Sequence, residues 1–113
     1  MRVKTSELTG AALDWAVAKC EGTEHLFAGH EVGRLHYSTD WAQGGPIIEW
    51  EMIELTRGTE NSNGWTATID LYEGDAMRES CTGPTPLIAA MRCYVASKLG
   101  EECDIPDELI TGE

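Results

Sequence analysis

Leu13, Ala16, Val17 and Cys20 recur at i, i+3, i+4 and i+7, the spacing that places side chains on one face of an α-helix. Thr9 reads as its N-cap, Leu8 and Leu13 as a hydrophobic staple across it, and Gly22 as its stop. Trp15 falls on the flank of the stripe, where it either joins the core edge or lines a cleft. Ahead of this helix, Arg2-Val3-Lys4 reads as a short strand. A second stripe runs through Leu87, Ala90, Met91, Tyr94, Val95 and Lys98, widened by Ile88 and Leu99. Thr85 and Pro86 supply an N-cap and a first-turn proline, and Gly100 supplies the end. This helix is apolar over most of its circumference, which predicts a central place.

Between the helices the period changes to two. Ile48, Trp50 and Met52 alternate with Glu49 and Glu51, while Ile53 and Leu55 take the opposite parity, so a β-bulge near Met52 is expected. Trp65, Ala67, Ile69 and Leu71 alternate with Thr66, Thr68, Asp70 and Tyr72. Asn61-Ser62-Asn63-Gly64 is a turn signal between the two runs, so they read as an antiparallel hairpin with one buried face. Residues 23 to 33 have no clear period, with Leu26 and Phe27 tucked inward; Arg34-Leu35-His36-Tyr37 reads as a short strand, and Glu73 to Pro84 as a loop. The order β-α-(β)-β-β-α predicts an α+β fold: a small antiparallel sheet with a central hairpin and two helices packed on one face. Residues 1–100 are expected to form a single domain, and residues 101–113 an acidic C-terminal tail, partly docked or mobile.

Composition narrows the function. The 113 residues carry 20 acids against eight bases, a net charge of −12. A duplex nucleic-acid binder neutralises phosphates with cations, so that class is disfavoured, while a basic protein partner or mimicry of DNA is not. Most acids read as a solvated face, Glu49, Glu51 and Glu54 among them. No apolar run approaches the ~20 residues that span a bilayer, and the N-terminus lacks an apolar signal core, so a cytoplasmic setting is expected. Cys20, Cys81, Cys93 and Cys103 include no C-x-x-C pair and read as reduced thiols serving as small hydrophobes. His25, His30 and His36 have no recognisable ligand interval, so neither a metal nor another cofactor is implied.

Three places offer chemistry. Tyr37-Ser38-Thr39-Asp40-Trp41-Ala42-Gln43-Gly44-Gly45-Pro46 gathers stacking surface, polar tips and backbone able to approach closely. It reads as a binding loop, or as a loop whose Trp41 is a peg in the core. Ser80-Cys81-Thr82-Gly83-Pro84-Thr85-Pro86 leads into a helix N-terminus, which attracts anions, although two prolines remove donors there and a well-capped helix is the preferred reading. Arg92, two turns into the apolar helix, either pairs with Asp40 or Asp14 or meets an anionic ligand. Nothing resembles a nucleophile elbow or an H-E-x-x-H helix, so no catalytic residue is assigned.

The stretches Tyr37 to Glu49 (Y-S-T-D-W-A-Q-G-G-P-I-I-E) and Gly83 to Gly100 (G-P-T-P-L-I-A-A-M-R-C-Y-V-A-S-K-L-G) resemble the NinX-like proteins of lambdoid phages, as does Val3 to Gly22. The resemblance covers nearly the whole chain. It implies a small phage accessory protein made in the cytoplasm of an infected bacterium, and it brings no catalytic residues. The expected function is binding of a small anionic ligand, a nucleotide or a cyclic-nucleotide-type signal of host defence. Tyr37, Ser38, Thr39, Asp40, Trp41, Gln43, Gly44, Gly45, Thr85 and Arg92 would form the site, in a homo-oligomer. The alternative is an acidic protein that binds and inhibits a host protein through Glu49, Glu51, Glu54 and the tail; a small hydrolase ranks last.

Overall fold

A computed structural model describes residues 2–23, 35–57, 64–70 and 78–106 of the chain. β1 (Arg2–Lys4) leads through a 3-10 turn (Thr5–Glu7) into α1 (Gly10–Glu21). α2 (Trp41–Glu51), β2 (Glu54–Arg57), β3 (Trp65–Asp70), β4 (Arg78–Gly83), α3 (Pro86–Leu99) and β5 (Glu102–Asp104) follow. The arrangement is α+β. β2, β3 and β4 form a three-stranded antiparallel sheet in that order, and β1 pairs with β5 in a separate two-stranded one.

α3 lies across β3 and β4, with α1 and α2 against it. Its residues Met91, Cys93 and Val95 are fully buried, and Leu13, Ala16 and Val17 of α1 and Ala67 and Ile69 of β3 join them in one core. This is the outcome that the two helical stripes and the alternation in β3 imply: burial follows the period of each element. Leu8 and Leu13 are both buried beside Thr9, as a staple requires. Thr9 takes the N-cap position of α1 with no hydrogen bond from its side chain. Thr85 does cap α3, its Oγ1 accepting from the Ile88 N–H at 3.1 Å.

Four expectations are corrected. The segment expected to be a loop at 41–46 and a strand from Ile48 is the helix α2. Asp40 starts it: its carboxylate accepts the Ala42 N–H and its carbonyl accepts those of Gln43 and Gly44, all at 2.9 Å. Gly44, Gly45 and Pro46 all disfavour a helix, and tertiary packing overrides them. A Cβ on Gly44 would lie 2.4 Å from the Tyr37 carbonyl oxygen and 2.7 Å from Leu87 Cδ1, so this turn of α2 seats only because the side chain is missing. The alternation of Ile48, Trp50 and Met52 misled because Trp50 and Met52 face water.

The slip of phase at Met52 marks a helix end, in place of the expected bulge. Met52 is left-handed (φ 53°, ψ 49°). Its N–H meets the Glu49 carbonyl at 3.3 Å, and that of Ile53 meets Ile48 at 3.0 Å. These two bonds are the Schellman pair. α1 ends the same way through Gly22 and Thr23. The segment expected as a loop before Pro84 contains β4, whose Cys81 and Gly83 point inward while Ser80 and Thr82 face out. Neither inward residue registers as a strong apolar signal. Leu35 to Tyr37 forms no strand: the Thr39 and Asp40 N–H groups both return to the His36 carbonyl, which makes a turn.

The hairpin pairing holds, with Leu55 opposite Ala67 and Thr56 opposite Thr66. Residues 61–63 of its turn signal, residues 71 and 72 of its second run and residues 24–34 lie outside the described residues. Past α3, Val3 pairs with Cys103, and Ile105 is buried.

Candidate functional site

A shallow cleft of about 190 Å³ opens where the N-terminal ends of α2 and α3 meet, lined by Ser38, Thr39, Trp41, Thr85, Leu87 and Ile88. Trp41 is the first residue of α2 and Thr85 the N-cap of α3, so both helices present their positive ends here. Trp41 is 52% exposed: it is no peg in the core, and its ring is free to take a partner. The hydroxyl of Thr85 accepts from Ile88, which leaves its proton for another acceptor.

The remaining residues of the segment hold this rim in place. Ser38 is buried, and its N–H and Oγ–H both donate to Asp14 Oδ1 of α1, at 2.8 and 2.7 Å. Burial pushes the Asp14 carboxyl above the usual range, and the two Ser38 bonds oppose that shift. Tyr37 Oη meets Thr23 Oγ1 at 3.1 Å. Gln43 Oε1 accepts the His36 N–H at 2.6 Å, locking the first turn of α2 onto the turn before it. Asp40 is occupied as a cap. Gly44 is the contact point with Leu87, and Gly45 runs beside the Trp41 ring, which a Cβ there would meet at 3.8 Å.

Arg92 stands apart from the cleft lining. Its Nε donates to the Leu8 carbonyl at 2.7 Å and its Nη1 to that of Thr82 at 2.9 Å. It ties the segment before α1 to the end of β4, and Asp14 and Asp40 are engaged elsewhere. Burial lowers its pKa. Of the expected constellation, Ser38, Thr39, Trp41 and Thr85 converge, Gly44 and Gly45 lie behind them, and Arg92 does not join. Leu87 and Ile88 complete the floor. Their apolar stripe marks them as core in the sequence, and only the approach of α2 makes them part of a cleft.

A larger cavity, about 300 Å³, lies beside β1, β4 and the end of α3. Among the described residues Glu79, Glu101 and Glu102 line it against Lys4, with no aromatic ring, so this part of its wall opposes an anion. Cys81 also borders it. Burial raises all four thiols, Cys20 and Cys93 to about 12, so they stay protonated and poorly nucleophilic at neutral pH. Among the described residues no group of three or more His, Cys, Asp or Glu is placed to hold a metal. Among them, too, no helix is long and apolar enough to cross a membrane.

A protein-family model described as "Bacteriophage P22, NinX" matches residues 4–98. The matched span begins in β1 and ends within the last turn of α3, so it contains the cleft and all three helices. A search of curated proteins found no match.

Proposed function

The chain belongs to the NinX family of phage proteins, and we propose that it binds and sequesters a small anionic ligand of the nucleotide class in the cleft between α2 and α3. The observation that carries this reading is the half-exposed Trp41 at a rim shared by two helix N-termini. A base stacked on Trp41 contributes roughly 1–3 kcal/mol. A phosphate at a helix N-terminus adds about 0.3–1 kcal/mol, more where partly buried. Thr39 and Thr85 would donate to the same oxygens. The net charge of −12 opposes an anion at long range, but salt screens charges beyond ~8 Å at physiological ionic strength.

At about 190 Å³ the cleft is smaller than the ~300–1,000 Å³ of ordinary ligand sites. A second copy closing over Trp41 would complete it, which makes a homo-oligomer part of the proposal. Among the described residues the rim offers stacking and hydrogen bonds and no activated nucleophile, so binding is preferred to turnover. In an infected bacterium such a protein would hold a nucleotide signal of host defence away from its receptor.

The test is a thermal-shift screen with mononucleotides, cyclic dinucleotides and adenosine-diphosphate-ribose derivatives. A ligand at 100 times its Kd stabilises the native state by about 2.7 kcal/mol, a readable rise in Tm. Trp41→Ala should abolish the rise. If no nucleotide raises Tm at millimolar concentration, the reading is dropped.

A further inference from the structure

We propose that the C-terminal end of α2 docks a basic, apolar-anchored segment of a partner protein, with Trp50 and Met52 as anchors and Glu49 and Glu54 as the charged rim. These residues lie at the far end of α2 from Trp41, about 15 Å along the helix axis, outside the ligand cleft.

Three features of this end disfavour an isolated protein. Trp50 is 84% exposed and Met52 82%, the two largest exposures among the described large hydrophobic side chains. Burying either would be favourable by ordinary hydrophobic transfer. The last turn of α2 holds Glu49 and Glu51 and no basic residue, at the negative pole of the helix dipole, with Glu54 just beyond. Lys98 approaches Glu51 at 4.0 Å, while Glu49 and Glu54 have no ion pair among the described residues. Met52 adopts the left-handed conformation that α1 assigns to Gly22 at the same point of the same motif. A non-glycine residue there is strained, and the long apolar side chain it carries lies in water.

Charge selects the occupant. A second copy docking through this same end of α2 would set its own Glu49 and Glu54 directly against these two carboxylates. An anionic lipid surface is repelled for the same reason. A basic segment relieves each cost: its cations answer Glu49, Glu54 and the carbonyl end of α2, an Arg stacks on Trp50, and an apolar side chain covers Met52. The recognition is that of an acidic, aromatic-anchored helix end for a cationic amphipathic peptide.

The test uses the full chain and a labelled synthetic Lys–Leu amphipathic peptide, followed by fluorescence anisotropy. A Glu–Leu peptide of the same length and an oligolysine of the same charge are controls. The Lys–Leu peptide should bind at least about 10-fold more tightly than oligolysine, and Trp50→Ala should weaken it by about 10-fold or more. Joint Glu49→Gln and Glu54→Gln substitution should weaken binding and flatten its salt dependence. Glu7→Gln, a carboxylate lost outside α2, should not. Met52→Gly should weaken binding while raising Tm, a pair of changes that a purely structural role for Met52 does not produce.

The proposal is overturned if Trp50→Ala and Met52→Gly leave the affinity unchanged, or if either control peptide binds as well. It is overturned too if sedimentation finds a dimer that Trp50→Ala dissociates, because the occupant is then a second copy. Peptide binding without any nucleotide shift would remove the cleft reading and keep this one.

Discussion

α3 and α2 both open with a side-chain N-cap, Thr85 in one and Asp40 in the other, and both contain a proline. Their burial then diverges. Eight of the fourteen residues of α3 are buried, against only Gly44 and Ile47 of the eleven in α2. α3 is the element around which the sheet and α1 assemble. α2 is fastened by its first turn and one buried edge, and it holds Trp41, Trp50 and Met52 in water. Large apolar side chains on α3 are therefore explained by the fold. The exposed ones at the two ends of α2, Trp41, Trp50 and Met52, are not, which makes them the candidates for function.

The largest effect should come from Met91→Ala, which empties a fully buried site in α3. We expect a loss of about 2–5 kcal/mol, measured by urea denaturation. Trp50→Ala on α2, although it removes a larger side chain, should stay within about 0.5 kcal/mol. Similar losses from both substitutions would break the contrast. Gly44→Ala comes next, at about 1–3 kcal/mol, because the Tyr37 backbone must move to admit the methyl group. Gly45→Ala, with only the Trp41 ring at 3.8 Å, should cost far less.

Thr85→Ala removes a bonded cap and should cost about 1 kcal/mol. Thr9→Ala, at a cap position without a side-chain bond, should cost less, and equal losses would mean that Thr85 acts through something other than its cap. Met52→Gly should stabilise, by about 0.5 kcal/mol, as strain relief exceeds the entropy of the added glycine. The smallest signal is a slope with pH. The folded Asp14 carboxyl titrates higher than in the unfolded chain, so its contribution is fully present below about pH 4 and is lost as pH rises through the raised value. The stability of the wild type relative to Asp14→Asn should fall over that interval and then level off. A rise would mean that the Ser38 bonds outweigh burial.

The same divergence decided what could be read from the amino acids alone. α1, α3 and β3 were legible because Leu13, Val17, Met91, Val95, Ala67 and Ile69 recur with the period of their elements and are all buried. α2 was not, because Trp50 and Met52 supplied an alternation that burial does not follow, and the glycines that usually break a helix are here the residues that let it dock. β4 was hidden because Cys81 is its one apolar side chain and Gly83, its other inward position, has none, so no alternation shows. In the candidate site the cap Thr85 was legible from residue type, while Trp41 read equally as a ligand-facing ring or a core peg until its exposure decided between them. The commitment of Arg92 to two backbone carbonyls was not, since spacing does not reveal which acceptors a fold leaves open.

β1 pairs with β5, Arg2 opposite Asp104, with the Arg2 guanidinium reaching Glu102 at 3.1 Å and Asp104 at 3.4 Å. On the ribosome these partners are born far apart in time. At about 5–20 residues per second, Arg2 waits roughly 5–20 s before residue 104 is made. Among the described residues β1 pairs with no other strand, so α1, α2, the three-stranded sheet and α3 are all made before it gains its partner. The two-stranded ribbon is thus a seal applied only after α3 has been made, and it ties the segment ahead of α1 to the one that follows α3.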